Sequence, residues 1–448
     1  MTDLLSRLPG ELSIPSFAAM RERTRQLRHR RDVKVCTVGA DREGEPIEMI
    51  SLGNGASDVL LIGAPHPNEP IGCIGIEWLI EQFVTHPELL RQSGCRWHFV
   101  KAIEPYALKQ NEGWFQQPDV ASYLQHFYRP VSSTQAEYCF PPTAGAGSAP
   151  SAPSAHRPVP ENEAYQNALR IAQPDVLVSM HNSEAAGAFF FLSRDDAQLA
   201  SRLSVQPHAN GLTLNLLGEP ASDVRDAPLA PGVFLLIDDA RSPAEPQEPA
   251  GIAVTTWLAG QPGLRPLFLV PEVPLFVAGR ADTVFPSMDA CLHSVGAMGW
   301  SERLARLLAE RLETMTADAT DLELLYLGAI REAVPLAQTL LDGLAELRST
   351  AEPASFQAQV SAQLLLTLRP MAMARRLAFM RAARRELGEL SSTARTIEQA
   401  CAQDLCSALN SQLLRGAFRP VPLRAAVATQ LSAVLAAVRA VSNRVGGC

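Results

Sequence analysis

A histidine and a glutamate lie three positions apart in the segment APHPNEP, as His66 and Glu69. The apolar run DVLLIG before them predicts a strand, and IGCIGIEWLIEQF after them predicts a helix. Open parallel α/β sheets bind ligands at the carboxyl ends of their strands, which is where this pair falls. Imidazole nitrogen and carboxylate oxygen are both zinc ligands, and two such side chains in one loop can converge on one ion. The pair therefore indicates part of a catalytic metal site.

A third ligand should follow another strand, because catalytic zinc sites use three protein ligands and keep one position open. His181 meets this condition, since it comes after the apolar run PDVLVSM and before a polar turn. A lone loop histidine is more often a surface or structural residue, but two histidines that each follow a buried strand predict a metal site. The other histidines lack this setting, and we expect surface or capping roles for them: His29, His86, His98, His126, His156, His208 and His293.

Three motifs resemble the M14 zinc carboxypeptidase family, a clan that includes succinylglutamate desuccinylase and aspartoacylase. They are HPNE, MHNS and LVPEVP, in the family's order, and the resemblance covers roughly residues 33 to 300. It implies that His66, Glu69 and His181 hold Zn²⁺. It also implies that Glu272, in the third motif, is the catalytic base.

Glu272 is a candidate functional residue even without the resemblance, because it lies inside the apolar run PLFLVPEVPLF. A carboxylate buried in a strand is costly unless it has a partner. One interpretation is a buried salt bridge. The other is a carboxylate that accepts a proton from zinc-bound water, whose pKa the metal brings near neutral.

The substrate-binding residues are less well marked. Members of the family place an Asn-Arg pair before the last metal ligand, where it binds a substrate carboxylate. The matching place here is YLQHFYRPV, which offers Arg129 with Tyr128 in the position of the asparagine. A guanidinium suits a carboxylate because it can bond both oxygens, and a surface ion pair is the alternative explanation for Arg129. Lys109 or Asn111, upstream, could replace the family's second arginine.

The chain has no tyrosine between Tyr165 and Tyr326, whereas digestive carboxypeptidases carry a mobile tyrosine in the matching stretch. This difference disfavours a digestive exopeptidase and leaves room for a specialised amidase. We expect residues 211 to 261 to shape the pocket. Their charged candidates are Arg225, Asp238, Asp239 and Arg241.

Apolar strand patterns alternate with helical patterns from about residue 33 to 300. This alternation predicts an α/β sheet that helices cover on both faces. The resemblance to zinc carboxypeptidases implies that the sheet is mixed and mostly parallel. We therefore assign residues 1–300 to a catalytic domain and residues 301–448 to an all-α helical bundle domain. Pro335 and Pro370 should kink or break two of the helices in the second part.

The Ala- and Leu-rich faces of the helical region must be buried against each other, the α/β domain or another subunit. A bundle closed on itself is one outcome. The other is an apolar face that stays open and pairs with a second copy of the chain, giving a homodimer. We found no candidate ligands in this region.

The length, net charge and cysteine pattern of the chain limit the classes of protein to which it can belong. The chain has 448 residues, which favours two or three domains, and its net charge of −8 disfavours a general nucleic-acid binder. No uninterrupted apolar run predicts a membrane span, and the N-terminus lacks the pattern of a secretory signal. The 8 cysteines show no CxxC spacing, which is typical of reduced thiols and favours a cytoplasmic protein.

The sequence therefore predicts a cytoplasmic zinc hydrolase that cleaves an amide bond in a peptide or peptide-like substrate with a free carboxylate. The first alternative is an N-acyl amino acid deacylase of the succinylglutamate desuccinylase or aspartoacylase kind. The second is a non-catalytic scaffold that uses its helices to bind a partner. The identity of the substrate does not follow from the sequence.

Overall fold

The computed structural model describes residues 4–141, 158–218, 228–236, 253–278, 319–347, 353–384, 389–410 and 418–445. The strands in these ranges form a nine-stranded sheet and a two-stranded ladder. They are β1 (Val33–Ala40), β2 (Pro46–Leu52), β3 (Ser57–Gly63), β4 (Cys95–Val100), β5 (Val176–Met180), β6 (Asn182–Ser183), β7 (Phe189–Leu192), β8 (Val233–Leu235), β9 (Leu267–Pro274), β10 (Phe276–Ala278) and β11 (Phe418–Pro420).

The large sheet has the order β1-β2-β4-β3-β5-β9-β7-β8, and β6 pairs with β9. Its central strands are parallel: β3 pairs with β4 and β5, and β5 pairs with β9. The antiparallel pairs are β1 with β2, β2 with β4, and β7 with β9. The predicted mixed and mostly parallel sheet is confirmed.

Helices cover both faces of this sheet. In the part of the chain that the structure describes, they are α1 (Phe17–Leu27), α2 (Ile71–Thr85), α3 (Pro87–Ser93), α4 (Pro105–Asn111), α5 (Val120–His126), α6 (Pro160–Ala172), α7 (Ala197–Ser204), α8 (Gln206–Ala209), α9 (Val254–Ala259), α10 (Asp321–Leu347), α11 (Pro353–Ala383), α12 (Glu389–Asn410) and α13 (Leu423–Val445). Strand β3 illustrates the layering. Val59 and Leu61 join the core that contains α2 and α13, whereas Leu60 and Ile62 join the core that contains α6.

The helices of the C-terminal region make two different sets of contacts. Helix α11 packs on α10, on α12 and on α5. Helix α13 instead packs on the sheet at β5 and β9 and on α2 and α7. Burial against the α/β part, one of the three outcomes that the sequence left open, therefore applies to α13. The predicted domain boundary at residue 300 lies outside the described residues, so the division into two domains stays a prediction.

The predicted helical C-terminal region is confirmed. It also contains the short strand β11, which pairs antiparallel with β10 and joins the segment before α13 to the α/β part. Helices α10 and α11 continue through Pro335 and Pro370, so neither proline breaks its helix, and a kink at either proline stays a prediction. Each loses one backbone hydrogen bond at its proline, but the long contacts between neighbouring helices hold the flanking turns in place.

Among the described helices, α13 is long and apolar enough to cross a membrane by length and composition alone. The candidate span is Leu423–Ser442, and 67% of its apolar window is buried inside the protein. A core helix that is covered on most sides has the same composition. The packing of α13 on the sheet therefore accounts for its apolar sequence.

Helix α2 approaches β5 unusually closely at Gly72. A Cβ atom at this position would lie 2.4 Å from the Cβ of Met180 and 2.8 Å from its carbonyl oxygen. At Gly75, one turn later, the nearest atom to an added Cβ would be Leu431 Cδ2 at 3.5 Å, an ordinary contact. The first turn of α2 can therefore lie against the end of β5 only because residue 72 has no side chain.

These two glycines give a matched pair of substitutions. Gly72→Ala should lower the free energy of unfolding by about 1–3 kcal/mol, because α2 must move away from Met180. Gly75→Ala should leave it unchanged or raise it by about 0.5–1 kcal/mol, since alanine favours the helix and meets no clash. Chemical denaturation of both variants measures the difference. Equal stabilities would contradict the close packing at Gly72.

Candidate metal centre

His66 and Glu69 lie in the turn between β3 and α2, and only 2% and 4% of their surfaces are exposed. The turn is tight. Ala64 adopts a positive φ of 44°, and the Glu69 N–H donates to the His66 carbonyl at 3.0 Å. The Ile71 N–H, at the start of α2, donates to Asn182 Oδ1 at 3.3 Å, which joins this turn to the segment after β5.

His181 directly follows β5 and is also buried, with 4% exposed. Its backbone is held by α13, because Gln430 Nε2 donates to the His181 carbonyl at 2.6 Å. The next backbone N–H, from Asn182, donates to Glu69 Oε2 at 3.2 Å. Two strand ends and a C-terminal helix thus fix the position of the third predicted ligand.

The three predicted ligands converge. His66, Glu69 and His181 each offer a ligand atom, and these atoms lie within 4.8 Å of one another. His181 Nδ1 is 2.9 Å from Glu69 Oε2. His66 Nδ1 is buried without a hydrogen-bond partner among the described residues, which is costly for a polar atom unless something else binds it. Two imidazoles and a carboxylate are a ligand set of catalytic zinc sites, so these residues fit the metal that the sequence predicted.

Glu137 is a further buried carboxylate at this centre, and the sequence analysis missed it. Its Oε2 lies 2.9 Å from His181 Nε2 and 3.8 Å from His66 Nε2. Histidines that bind a metal through one ring nitrogen commonly donate the other N–H to a carboxylate, which fixes the ring and raises its basicity. Glu137 stands in that relation to His181.

The segment around Glu137 is anchored by buried groups. The Ala136 N–H donates to Glu104 Oε1 at 2.6 Å, and burial raises the pKa of Glu104 to about 8. The ring of Tyr138 stacks on that of His66, with centroids 5.4 Å apart. No motif marks this stretch of the sequence, since TQAEYCF reads as an ordinary loop, so only the fold reveals its role.

Charges at the centre shift the two histidines in opposite directions. Burial, with the nearby Arg129 guanidinium, holds the pKa of His66 well below its usual value. Burial also acts to lower the pKa of His181, but the carboxylates of Glu137 and Glu69 outweigh it and raise that pKa well above the usual value. For Glu69, burial acts to raise the pKa, and His181 and Arg129 outweigh it and lower it.

Glu272 lies within β9, and its Oε1 is 3.7 Å from His181 Nδ1. It is 7% exposed and faces a small cavity next to the three predicted ligands. Its backbone pairs with Phe189 on β7, so the register of the two strands fixes the position of Glu272 relative to the predicted ligands. The predicted base therefore lies beside the predicted ligands, at the end of the third central strand.

Arg129 also reaches the centre, where its Nη1 donates to Glu69 Oε1 at 3.0 Å. The backbone before it is fixed by Asn111, which accepts from the Tyr128 N–H at 3.0 Å and donates to the Tyr128 carbonyl at 2.8 Å. Asn111 is fully buried and does not line the described cavity. Asn111 therefore does not make the predicted substrate contact. It has a structural role instead, because it fixes the backbone of Tyr128, the residue before Arg129.

Lys109 does not reach the cavity either. It lies two residues before Asn111 on α4, on a different face of the helix, and forms a surface ion pair with Glu43 at 3.2 Å. Of residues 211 to 261, Asn215 and Gly218 line the cavity. The four charged candidates of this segment lie outside the described residues: Arg225, Asp238, Asp239 and Arg241.

The cavity beside the predicted ligands has a volume of about 40 Å³. Glu69, Arg129 and Glu272 line it, together with Glu184, which follows β6. Helix α11 also contributes to its wall through Leu366 and Arg369. The helical region therefore contributes to the cavity wall, although its sequence offers no candidate ligands. Arg369 carries no motif, and its position depends on how α11 packs on the α/β part.

No family model matches the chain, and no curated protein matches it. The fold resembles solved metallo-carboxypeptidases, the family that the sequence motifs resemble. The match to the metallo-carboxypeptidase from Burkholderia cenocepacia has 16% identity and a TM-score of 0.34, and covers 58% of this chain and 60% of that chain. The chain thus spans less than two thirds of that enzyme's length.

Two other matches are similar in extent. Carboxypeptidase A from Helicoverpa armigera is 13% identical, with 60% of this chain and 67% of that chain covered and a TM-score of 0.39. Bovine thrombin-activatable fibrinolysis inhibitor, solved in complex with tick carboxypeptidase inhibitor, is 13% identical. The match covers 58% of this chain and 86% of that chain, with a TM-score of 0.37.

Glu137 can be tested through metal affinity. Glu137→Gln keeps the size of the side chain but removes the charge beside His181 Nε2. It should weaken zinc binding about 10- to 100-fold, as is typical when the carboxylate behind a histidine ligand is lost. Competition with a chromophoric zinc chelator measures the affinity. Glu161→Gln, at a buried glutamate that binds Arg42 instead, is the matched control and should bind zinc normally. Equal affinities for the two variants would rule out the role of Glu137.

Proposed function

We propose that this chain is a zinc-dependent hydrolase that cleaves an amide bond in a peptide or acyl-amino acid substrate with a free carboxylate. The observation that carries the proposal is the convergence of His66, Glu69 and His181 at the ends of β3 and β5, with Glu272 beside them on β9. An accidental cluster of buried polar groups would not combine a ligand set with a carboxylate in an adjoining cavity.

The metal, when bound, would polarise the scissile carbonyl and lower the pKa of a water molecule. The three ligands hold it, and Glu137 orients His181. Glu272 accepts a proton from the attacking water and returns a proton to the leaving nitrogen. The hydroxyl of the water ends on the carbonyl carbon as the C–N bond breaks, so the products are a carboxylic acid and an amine.

Arg129 has two tasks in this scheme. Its contact with Glu69 orients a ligand carboxylate, and its place on the cavity wall brings a guanidinium near the substrate. A planar guanidinium binds carboxylates and developing negative charge well when it is shielded from water. We therefore retain Arg129 as a substrate-binding residue.

Glu272→Gln tests the base. The variant should fold and bind zinc but lose about 10²- to 10⁴-fold in kcat/KM, because glutamine cannot accept the proton. The measurement is steady-state hydrolysis, with circular dichroism and zinc content as checks. Glu77→Gln, whose carboxylate binds Lys101 away from the cavity, should keep full activity. Near-normal turnover by a folded, zinc-loaded Glu272→Gln protein would exclude Glu272 as the base.

The substrate panel for this assay separates the two enzyme candidates. Peptides with a free C-terminus are compared with their C-terminal amides and with N-acyl amino acids. Faster hydrolysis of peptides with a free C-terminus supports a carboxypeptidase-like activity, and faster hydrolysis of N-acyl amino acids supports a deacylase. If the protein hydrolyses neither class of substrate and holds no zinc, the non-catalytic scaffold is favoured.

The homodimer and the cytoplasmic location stay predictions, which light scattering and cell fractionation can test.

A further inference from the structure

Three polar side chains from neighbouring strands form a chain of hydrogen bonds on the large sheet. Ser51 Oγ, on β2, lies 2.9 Å from His98 Nδ1, on β4. His98 Nε2 lies 2.8 Å from Asp58 Oδ1, on β3. The sequence favoured a surface or capping role for His98, but this residue is only 4% exposed. An imidazole held between a hydroxyl and a carboxylate is the arrangement that activates a hydroxyl as a nucleophile.

This cluster lies far from the predicted metal ligands. Asp58 is near the start of β3, whereas His66 and Glu69 follow the end of that strand. The five residues from Asp58 to Gly63 correspond to about 16 Å of extended chain. The cluster is therefore at the opposite edge of the sheet, and the proposed amide hydrolysis does not use it.

The register of the sheet places the members of the cluster side by side. Ser51 is the Cα partner of His98 on β4 and of Lys34 on β1. Cα partners on antiparallel strands project from the same face, with Cβ atoms about 4.5–5.5 Å apart. Asp58 is the Cα partner of Arg96, which is two residues before His98 and so lies on that same face. The sheet thus fixes Lys34, Ser51 and His98 in one row and Asp58 in the next.

The Asp58 side chain is held in its ionised form. Arg96 donates to both of its carboxylate oxygens, through Nε and Nη2. The Asp58 N–H donates to Asp175 Oδ2 at 2.9 Å, which also fixes the backbone. Burial acts to raise the pKa of the Asp58 carboxyl, but Arg96 and His98 outweigh it and lower that pKa. Asp58 is therefore a carboxylate at neutral pH.

The carboxylate determines the tautomer of His98. An ionised carboxylate can only accept, so His98 Nε2 carries the proton and Nδ1 accepts from the Ser51 hydroxyl. Burial lowers the pKa of His98 and outweighs Asp58, which raises it. The charges of Arg96 and Lys34 lower it further. The imidazole is thus neutral at pH 7, with its lone pair on the Ser51 hydroxyl, as a general base requires.

A small molecule can reach the hydroxyl. Ser51 is half-buried, and β1, which carries Lys34, is the edge strand of the sheet. The Lys34 side chain is exposed beside Ser51. Its ammonium can bind the negative charge that develops on a carbonyl oxygen when Ser51 attacks the neighbouring carbon.

We propose that Ser51, His98 and Asp58 form a second catalytic site, which hydrolyses small carboxylic esters. Ser51 Oγ bonds to the ester carbonyl carbon while His98 Nδ1 takes the hydroxyl proton. The C–O bond to the alcohol then breaks, and the alcohol leaves with that proton. Water attacks the acyl-serine by the same route, so the products are a carboxylic acid and an alcohol. Asp58 is a positioning residue, because it acts through the imidazole.

A fluorophosphonate probe tests the serine, because an activated hydroxyl displaces its fluoride and keeps the phosphonyl group. Full-length protein is treated with the probe, and mass spectrometry of the intact chain and of its peptides gives the extent and position of labelling. We expect one adduct, on Ser51, that is absent from Ser51→Ala. Ser132→Ala is the control and should be labelled normally, since the Ser132 hydroxyl donates to the Glu332 carboxylate and not to an imidazole.

The base and the positioning residue have their own variants, with circular dichroism as the check of folding. His98→Gln should be labelled at least about 100-fold more slowly, because glutamine cannot take the proton. Asp58→Asn should be labelled at least about tenfold more slowly, because the amide does not fix the tautomer. Its labelling should also persist to lower pH, since Asp58 raises the pKa of His98. Asp175→Asn, at a carboxylate that contacts only the Asp58 backbone, should react normally.

The pH dependence of the wild type gives a test without any substitution. Labelling should be constant between about pH 7 and 8 and should fall only below about pH 6.5, where a histidine with a lowered pKa becomes protonated. Hydrolysis of p-nitrophenyl acetate should follow the labelling across all variants. An unlabelled Ser51 would overturn the proposal, and so would equal labelling of wild type and folded His98→Gln. Equal ester hydrolysis by wild type and Ser51→Ala would overturn the substrate class.

Discussion

The parallel pairing of β3, β5 and β9 under helices on both faces is the constraint on which the site depends. The interiors of these strands are buried on both sides, so they cannot carry unpaired charges, and polar groups must gather where the strands end. Parallel strands end at the same edge of the sheet. His66, Glu69 and His181 therefore meet there, and Glu272 joins them from the far part of β9.

This edge concentrates negative charge. Glu69, Glu137, Glu184 and Glu272 are all at least nine-tenths buried, and unpaired carboxylates would be strongly destabilising in such a place. Protein cations offset part of the charge, with Arg129 bonded to Glu69 and Arg369 paired with Glu184. A divalent cation held by the two histidines and Glu69 would offset much of the remainder. The electrostatics and the ligand geometry therefore favour the same occupant.

The sequence revealed those parts of the site that depend on local pattern. A polar residue directly after an apolar strand can be recognised without knowing the fold, which is why His66, Glu69 and His181 could be predicted as ligands. Glu272 could be predicted because a carboxylate inside an apolar run is unusual. Helical phase is also local, but the sequence alone does not say which face meets the sheet. Asn111 was expected in the cavity because its segment resembles the one that supplies the family's second arginine, but its side chain bonds the backbone of Tyr128 instead.

The remaining site residues depend on tertiary packing between distant segments. Glu137 reaches the histidines from an irregular loop, Gln430 reaches the His181 carbonyl from α13, and Arg369 reaches the cavity from α11. None has a recognisable motif, and their long separations in the chain hide the contacts. The sequence for the same reason offered no candidate ligands in the helical region, and it could not show that α11 and α13 place side chains next to the predicted ligands.

The metal is the most direct test of this account. Full-length protein is purified, dialysed without chelator and analysed for zinc by elemental mass spectrometry, beside His66→Ala and His181→Ala. We predict one zinc per chain in the wild type and a large loss in both variants, with the fold retained by circular dichroism. Full zinc occupancy in both variants, or a wild type that binds no zinc when the metal is supplied, would contradict the account.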